Sequence, residues 1–181
     1  MDGSRQQIYF AFAPFVLVEE FGVDARTMTV LLIVSALVSW RAGPIIGKLD
    51  DRIGEKRFLT IAYCAHFVVF LGFALTNNVW LLYAFYLGYQ FLFLFSVGTT
   101  TYLKKIARRE DIAPTLAMGV SLAHLTAVIV PIIGAALWSR LGYQFPFLFG
   151  TVFVIISLIL TQRIDPERQG FNVYRTGVNN P

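Results

Sequence analysis

Six stretches of this chain are apolar over roughly the length a helix needs to cross a lipid bilayer, about 20 residues. They cover approximately residues 7–21, 27–46, 58–75, 79–102, 112–138 and 145–161. The breaks between them, GVDAR, GKLDDRIGEKR, TNN, KKIARRED and SRLGYQ, each carry glycine, asparagine or charge, as element boundaries do. A closed barrel also crosses lipid, but it alternates apolar and polar residues over about ten positions. Unbroken runs such as FVVFLGFAL and VFVIISLIL predict helices instead.

Composition excludes a soluble domain. Only 14% of the residues are charged, against about 25% in a typical soluble protein, and the mean hydropathy is +0.63. One globular core of this size cannot hide 17 Phe, so lipid is their natural solvent. Cys64 is the single cysteine, which rules out an internal disulfide and a cysteine metal cluster. No metal and no cofactor are expected.

Several helix boundaries are legible. Asp111 is a candidate cap before Ile112, with Pro114 in the first turn, where its missing N–H costs little; Pro146 is placed similarly in the last span. Pro14 and Pro131 fall inside spans and are candidate kinks that neighbouring helices can accommodate. The first span is the shortest, closed by Glu19 and Glu20. Arg5 is the one basic residue ahead of it and no small-x-small site follows, so a cleaved secretory signal is not expected.

The cations are sorted by side. Arg5, Lys48, Arg52, Lys56, Arg57, Lys104, Lys105, Arg108, Arg109, Arg163, Arg168 and Arg175 fall on one side of a six-span topology, twelve of the 15 basic residues. Arg26 and Arg140 fall opposite, and Arg41 lies within a span. The positive-inside rule then places both termini in the cytoplasm of a multi-pass protein of the cell (plasma or inner) membrane. The net charge of +4 is thus a topology signal, and nucleic acid is not an expected partner.

Residues 47–57, GKLDDRIGEKR, hold seven charged residues and two glycines. Two helices emerging side by side must reverse quickly, and Gly47 and Gly54 supply close approach and free φ. Asp51 can accept from a helix N-terminus, whose dipole favours an anion. Arg52, Lys56 and Arg57 suit the anionic inner leaflet. An ion pair at this rim that forms in one conformation and breaks in another would act as a latch; the alternative is a solvated topogenic loop.

This stretch resembles the loop signature of the major facilitator superfamily, roughly G-x-x-x-D-R-x-G-x-K/R-R/K. Gly47, Asp51, Arg52, Gly54, Lys56 and Arg57 match in spacing, and the stretch lies between the second and third spans, where that family carries it. Glu55 stands where the family usually has a basic residue, and Asp50 is an additional acid. The resemblance implies an all-α membrane fold of six transmembrane helices over residues 1–163, built from inverted three-helix repeats, with a polar cytoplasmic tail at 164–181. It implies one half of a twelve-helix carrier. SRQQIYFAFAPFVLVEEFGV and PIIGAALWSRLGYQFPFLFG look like the second half.

The resemblance further implies that spans one, two, four and five line the pathway while three and six face lipid. Polar side chains at membrane depth usually face protein or a water-filled cavity. Substrate-cavity candidates are therefore Tyr9, with Gln6, Ala13 and Glu20 near its face; Ser35, Ser39 and Arg41; Tyr86 and Gln90, with Tyr83 and Thr101; and Ser121 with His124. Gln90 alternatively only bonds across helices, and His124 alternatively only packs. His66, on a presumed peripheral helix, reads as a packing residue. Arg41 lies about 9 Å up the axis from Gly47 and either snorkels to the rim or meets an anion in the cavity. No carboxylate lies in the middle of a span.

The leading expectation is a carrier that moves a small solute by alternating access, with the lipid bilayer as its solvent. An uncovered cavity face calls for a partner, a second six-helix half or a second copy of the chain. A transport-inactive fragment of a truncated or split gene is the alternative, and the opening MDGS fits an internal start. An intramembrane hydrolase is the remote one. Ser121 and His124 invite it, but the local GVSL is not GxSG, and two groups three apart on one helix do not assemble acyl-transfer geometry. An enzyme is therefore not expected.

Overall fold

The computed structural model describes residues 2–164, without the side chains of Asp2 and Ser4. The helices are α1 (Asp2–Glu19), α2 (Ala25–Ile53), α3 (Glu55–Leu75), α4 (Val79–Phe93), α5 (Val97–Ile106), α6 (Arg109–Leu141) and α7 (Gln144–Gln162). One 3-10 turn, Leu94–Ser96, joins α4 and α5 into a single rod, and no strand occurs among the described residues. The all-helical expectation holds. Among the described residues, five rods are long and apolar enough to cross a membrane: α2, α3, α4–α5, α6 and α7. α1 falls short because Asp2, Arg5 and Glu19 all lie within its 18 residues.

Local chemistry sets most ends. Asp24 caps α2, its Oδ1 accepting from Thr27 N–H at 3.3 Å. Asn78 caps α4 by accepting from Trp80 N–H at 3.0 Å. α6 corrects one expected cap. It begins at Arg109 after an extended Arg108, so Asp111 sits inside the first turn beside Glu110, where the dipole favours an anion. Pro114 consequently lies past that turn, whereas Pro146 does occupy the first turn of α7.

α3 and α7 pack against each other most extensively and form a back layer. In front, contacts run from α6 to α1, from α1 to α4 and from α4 to α2. Aromatic rings fill the space between the layers and within the back layer. The Tyr9 ring stacks on Tyr89 with centroids 3.5 Å apart, and Phe73 stacks on Phe147 at 4.9 Å. Shape rather than hydropathy selects these contacts, since lipid tails are as apolar as the side chains. Thus Gly72 lies flat against the Phe85 ring and Gly150 against Phe70, where an added Cβ would stand 2.2 Å from a ring carbon in each case.

α3 and α7, the spans expected to face lipid, do keep an exposed apolar stripe: Ile61, Val68 and Leu75 on α3, and Val152, Ile155 and Ile159 on α7. They are nevertheless well packed by protein. α6 has no buried residue, and α2 buries only Met28, Leu31, Ser35, Ile46 and Asp50.

The two ends of the bundle differ. At one, Tyr143 OH donates to Asn77 Oδ1 at 3.0 Å and its ring meets Phe21 edge-on, joining the α6–α7, α3–α4 and α1–α2 connections. At the other, Glu55 pairs with Lys105, and Gln162 Nε2 donates to Thr60 Oγ1 at 3.0 Å. The basic clusters of the α2–α3 and α5–α6 connections share this second end. Arg5 does not belong with them: it is 6% exposed inside the bundle. The predicted polar tail from residue 165 onward, with Arg168 and Arg175, lies outside the described residues; Ile164 before it is buried.

Candidate functional site

The charged stretch is tighter than its sequence suggests. α2 continues as helix through Gly47 to Ile53, and Gly54 alone makes the reversal, with φ 78° and ψ 151°. That positive φ is open to glycine and strained for other residues. Gly47 instead sits mid-helix with nothing within 4 Å of where a Cβ would be. Asp51, Arg52 and Arg57 are exposed and Lys56 is half-buried.

The acid expected to cap a helix, Asp51, points outward. Among the described residues the buried acids are Asp50 and Glu55, each 2% exposed. Helical spacing is the reason: Asp50 lies four residues after buried Ile46 and shares its inward face, while Asp51 is turned away. Glu55 opens α3 and pairs with Lys105 of α5. Asp50 faces Thr101 and Lys105 of α5, and its carboxyl, beyond the apolar part of α2, is held above the ordinary value by burial and then by Glu55, against the influence of Thr101 and Lys105. The two residues that depart from the loop signature are thus the ones turned toward α5, and Glu55 fastens the turn to it.

The cavity candidates do not converge. Tyr9 and Tyr86 lie in the aromatic core, 0% and 2% exposed. Tyr9 OH donates to the Phe85 carbonyl at 3.2 Å, and Tyr86 is bonded by half-buried Gln90. The Tyr9 ring is enclosed by Phe70 and Phe73 of α3 and by Tyr86 and Tyr89 of α4. Ser35 is buried and donates to the Leu31 carbonyl at 2.7 Å; Ser39 is half-buried and Arg41 exposed, all on α2. Ser121 and His124 are exposed on α6, and the Ser121 hydroxyl is engaged by the Ala117 carbonyl at 3.0 Å. His66 packs as expected, its Nδ1 2.7 Å from the Ala62 carbonyl.

Sequence reasoning missed a niche behind the α1–α4 contact. Arg5 and Gln6 of α1, His66 of α3, Tyr89 and Phe93 of α4, and Ser96 of the 3-10 turn enclose a space of about 20 Å³. The Arg5 guanidinium lies 4.9 Å over the Tyr63 ring, a cation–π contact, and His66 meets Tyr89 edge-on at 5.2 Å. Arg5 was detectable in principle. It falls three and four residues before Ile8 and Tyr9, on the stripe that continues through Phe12, Ala13, Val16 and Leu17, all buried.

Comparison with known proteins follows the same lines. The model of the Major Facilitator Superfamily matches residues 3–177. An uncharacterised MFS-type transporter of Methanocaldococcus jannaschii is 32% identical over 117 residues, covering 63% of this chain and 29% of that protein. A Na(+), Li(+), K(+)/H(+) antiporter of Planococcus maritimus is 29% identical over 157 residues, covering 83% of this chain and 37% of that protein. The chain therefore spans about a third of the length of these curated relatives.

Proposed function

The chain belongs to the major facilitator superfamily, and from that premise we propose that it moves a small solute across a membrane by alternating access, as one half of a carrier. It is a multi-pass membrane protein with several apolar helices. In this reading α1 also spans, as the first of six, sheltered by α6, α7 and α4, and the bundle comprises two inverted three-helix repeats. The basic end lies in the cytoplasm of the cell membrane, with the Gly54 turn and its ion pair as the latch.

The observation that carries the reading is the uncovered front. α6 buries none of its 33 residues and α2 is mostly exposed, so the two helices flanking α1 and α4 lack protein partners on their outer sides. A second six-helix half, or a second copy of the chain, would cover that face and close the pathway between them. The second reading is a transport-inactive portion of a carrier.

Mass measurement of the purified chain in lipid nanodiscs, paired with flux in proteoliposomes, separates these readings. The half-carrier reading expects an assembly with flux, either of two copies or with a co-expressed partner. An assembly without flux of any ion or organic solute supports the inactive reading. A chain that is monodisperse in plain buffer, or a stable monomer that transports, would overturn the proposal.

A further inference from the structure

We propose that Asp50 and Glu55 together hold one exchangeable proton at the basic end of the bundle, and that its loss releases the α2–α3 turn from α5. The inference rests on the latch reading of the Gly54 turn and names what sets the latch. Neither acid belongs to the loop signature, whose own acid, Asp51, is exposed.

Counting charges gives the proton. Asp50 and Glu55 are each 2% exposed, and the Lys105 ammonium is paired with Glu55. Asp50 Oδ1 is buried and accepts from no donor among the described residues. With both acids ionised the set carries one negative charge in excess, and an uncompensated buried charge is costly. Like charges sharing a site favour keeping one of the two acids protonated. A single proton, taken from water at the basic end, makes the set neutral. It also turns the Asp50 carboxyl into a donor as well as an acceptor.

The groups that act on Asp50 are Glu55 at the start of α3, Thr101 and Lys105 on α5, and Asp51 on its own helix. The 3-10 turn that α2 also touches, Leu94–Ser96, has no titratable residue. α4 ends at Phe93, eight residues short of Thr101, or about 12 Å along the rod. Burial and then Glu55 hold the Asp50 carboxyl above its ordinary value, in spite of Thr101 and Lys105. The proton has a route to water, because Asp50 lies in the last turn of α2 and the Lys105 side chain is 38% exposed. The turn is built to respond. Gly54 alone joins the helix end that carries Asp50 to the helix start that carries Glu55. Ionised Asp50 regains its hydration when that corner swings away from α5. The arrangement with both acids buried is thus the proton-loaded form, and higher pH opens it.

The test puts spin labels on Arg52→Cys and Ile106→Cys, both exposed positions, in a Cys64→Ser chain held in lipid nanodiscs. Raising the pH from about 5 to about 8 should lengthen the label separation. The ratio of near to far forms should change by up to about tenfold per pH unit, the limit for one proton. Asp50→Asn, which copies the protonated acid, should keep the labels near at every pH. Glu55→Gln leaves one acid for one lysine and should also abolish the lengthening. A parent separation that ignores pH overturns the inference whether or not either variant folds, as does an Asp50→Asn chain that lengthens like the parent. Sodium or potassium that restores the near form at high pH, where choline does not, would make the pair a metal-cation site and also overturn it. A pH-dependent separation without any flux in proteoliposomes sinks the transport reading and leaves the proton site; flux with a separation blind to pH sinks the proton site and leaves transport.

Discussion

Glu55 and Lys105 form an ion pair that fastens the α2–α3 turn to α5, with the carboxylate side chain 2% exposed and the lysine 38% exposed. Removing the lysine leaves a buried anion beside buried Asp50. Lys105→Ala should therefore destabilise by about 1–3 kcal/mol, the cost of an uncompensated buried group. Glu55→Gln with Lys105→Gln should lose less than the lysine change alone. Thermal unfolding in detergent checks both; additivity of the two single changes would contradict the pair.

Asp50 sets a pH dependence of the opposite sense to a salt-bridged acid. Its carboxyl is raised by burial and by Glu55, so the folded chain binds its proton more readily than the unfolded chain. Stability from this group therefore rises as pH falls through the folded value toward the ordinary aspartate value of 3.8, and declines as pH rises. Asp50→Asn mimics the protonated form and should flatten that slope while raising the melting temperature near neutral pH. A melting temperature unchanged by the substitution would remove the effect.

Glycines test where the packing is tight. Gly150→Ala forces a Cβ to 2.2 Å from the Phe70 ring and should cost about 1–3 kcal/mol by overpacking. Gly47→Ala meets nothing within 4 Å in mid-helix and should stabilise by about 0.5–1 kcal/mol. Denaturant titration of the two variants should shift in opposite directions.

Tyr9 separates ring from hydroxyl. Tyr9→Phe loses the bond to the Phe85 carbonyl, worth about 0.5–1.5 kcal/mol. Tyr9→Ala empties the centre of the stack with Tyr89, Phe70 and Phe73 and should cost about 3–5 kcal/mol. Near-equal losses would mean that the ring stack contributes little.

Orientation is checked with single cysteines in a Cys64→Ser background, because Cys64 is exposed. An impermeant maleimide applied to intact cells should label Arg140→Cys and spare Lys56→Cys. The reverse pattern would place the basic end outside and invert the proposed latch.

The sequence by itself determined that this is a bundle of apolar helices, where the chain turns, and that most cations gather at one end. Those properties depend on length, punctuation and charge, which act locally. Tertiary structure alone decided which face each helix buries, because rods that are apolar on nearly every side look alike to lipid and to protein. It also turned Asp50 rather than Asp51 inward and recruited the expected topogenic Arg5 into the bundle. Both outcomes follow from rotation about a helix axis, where one residue's shift of about 100° separates a solvated charge from a buried one.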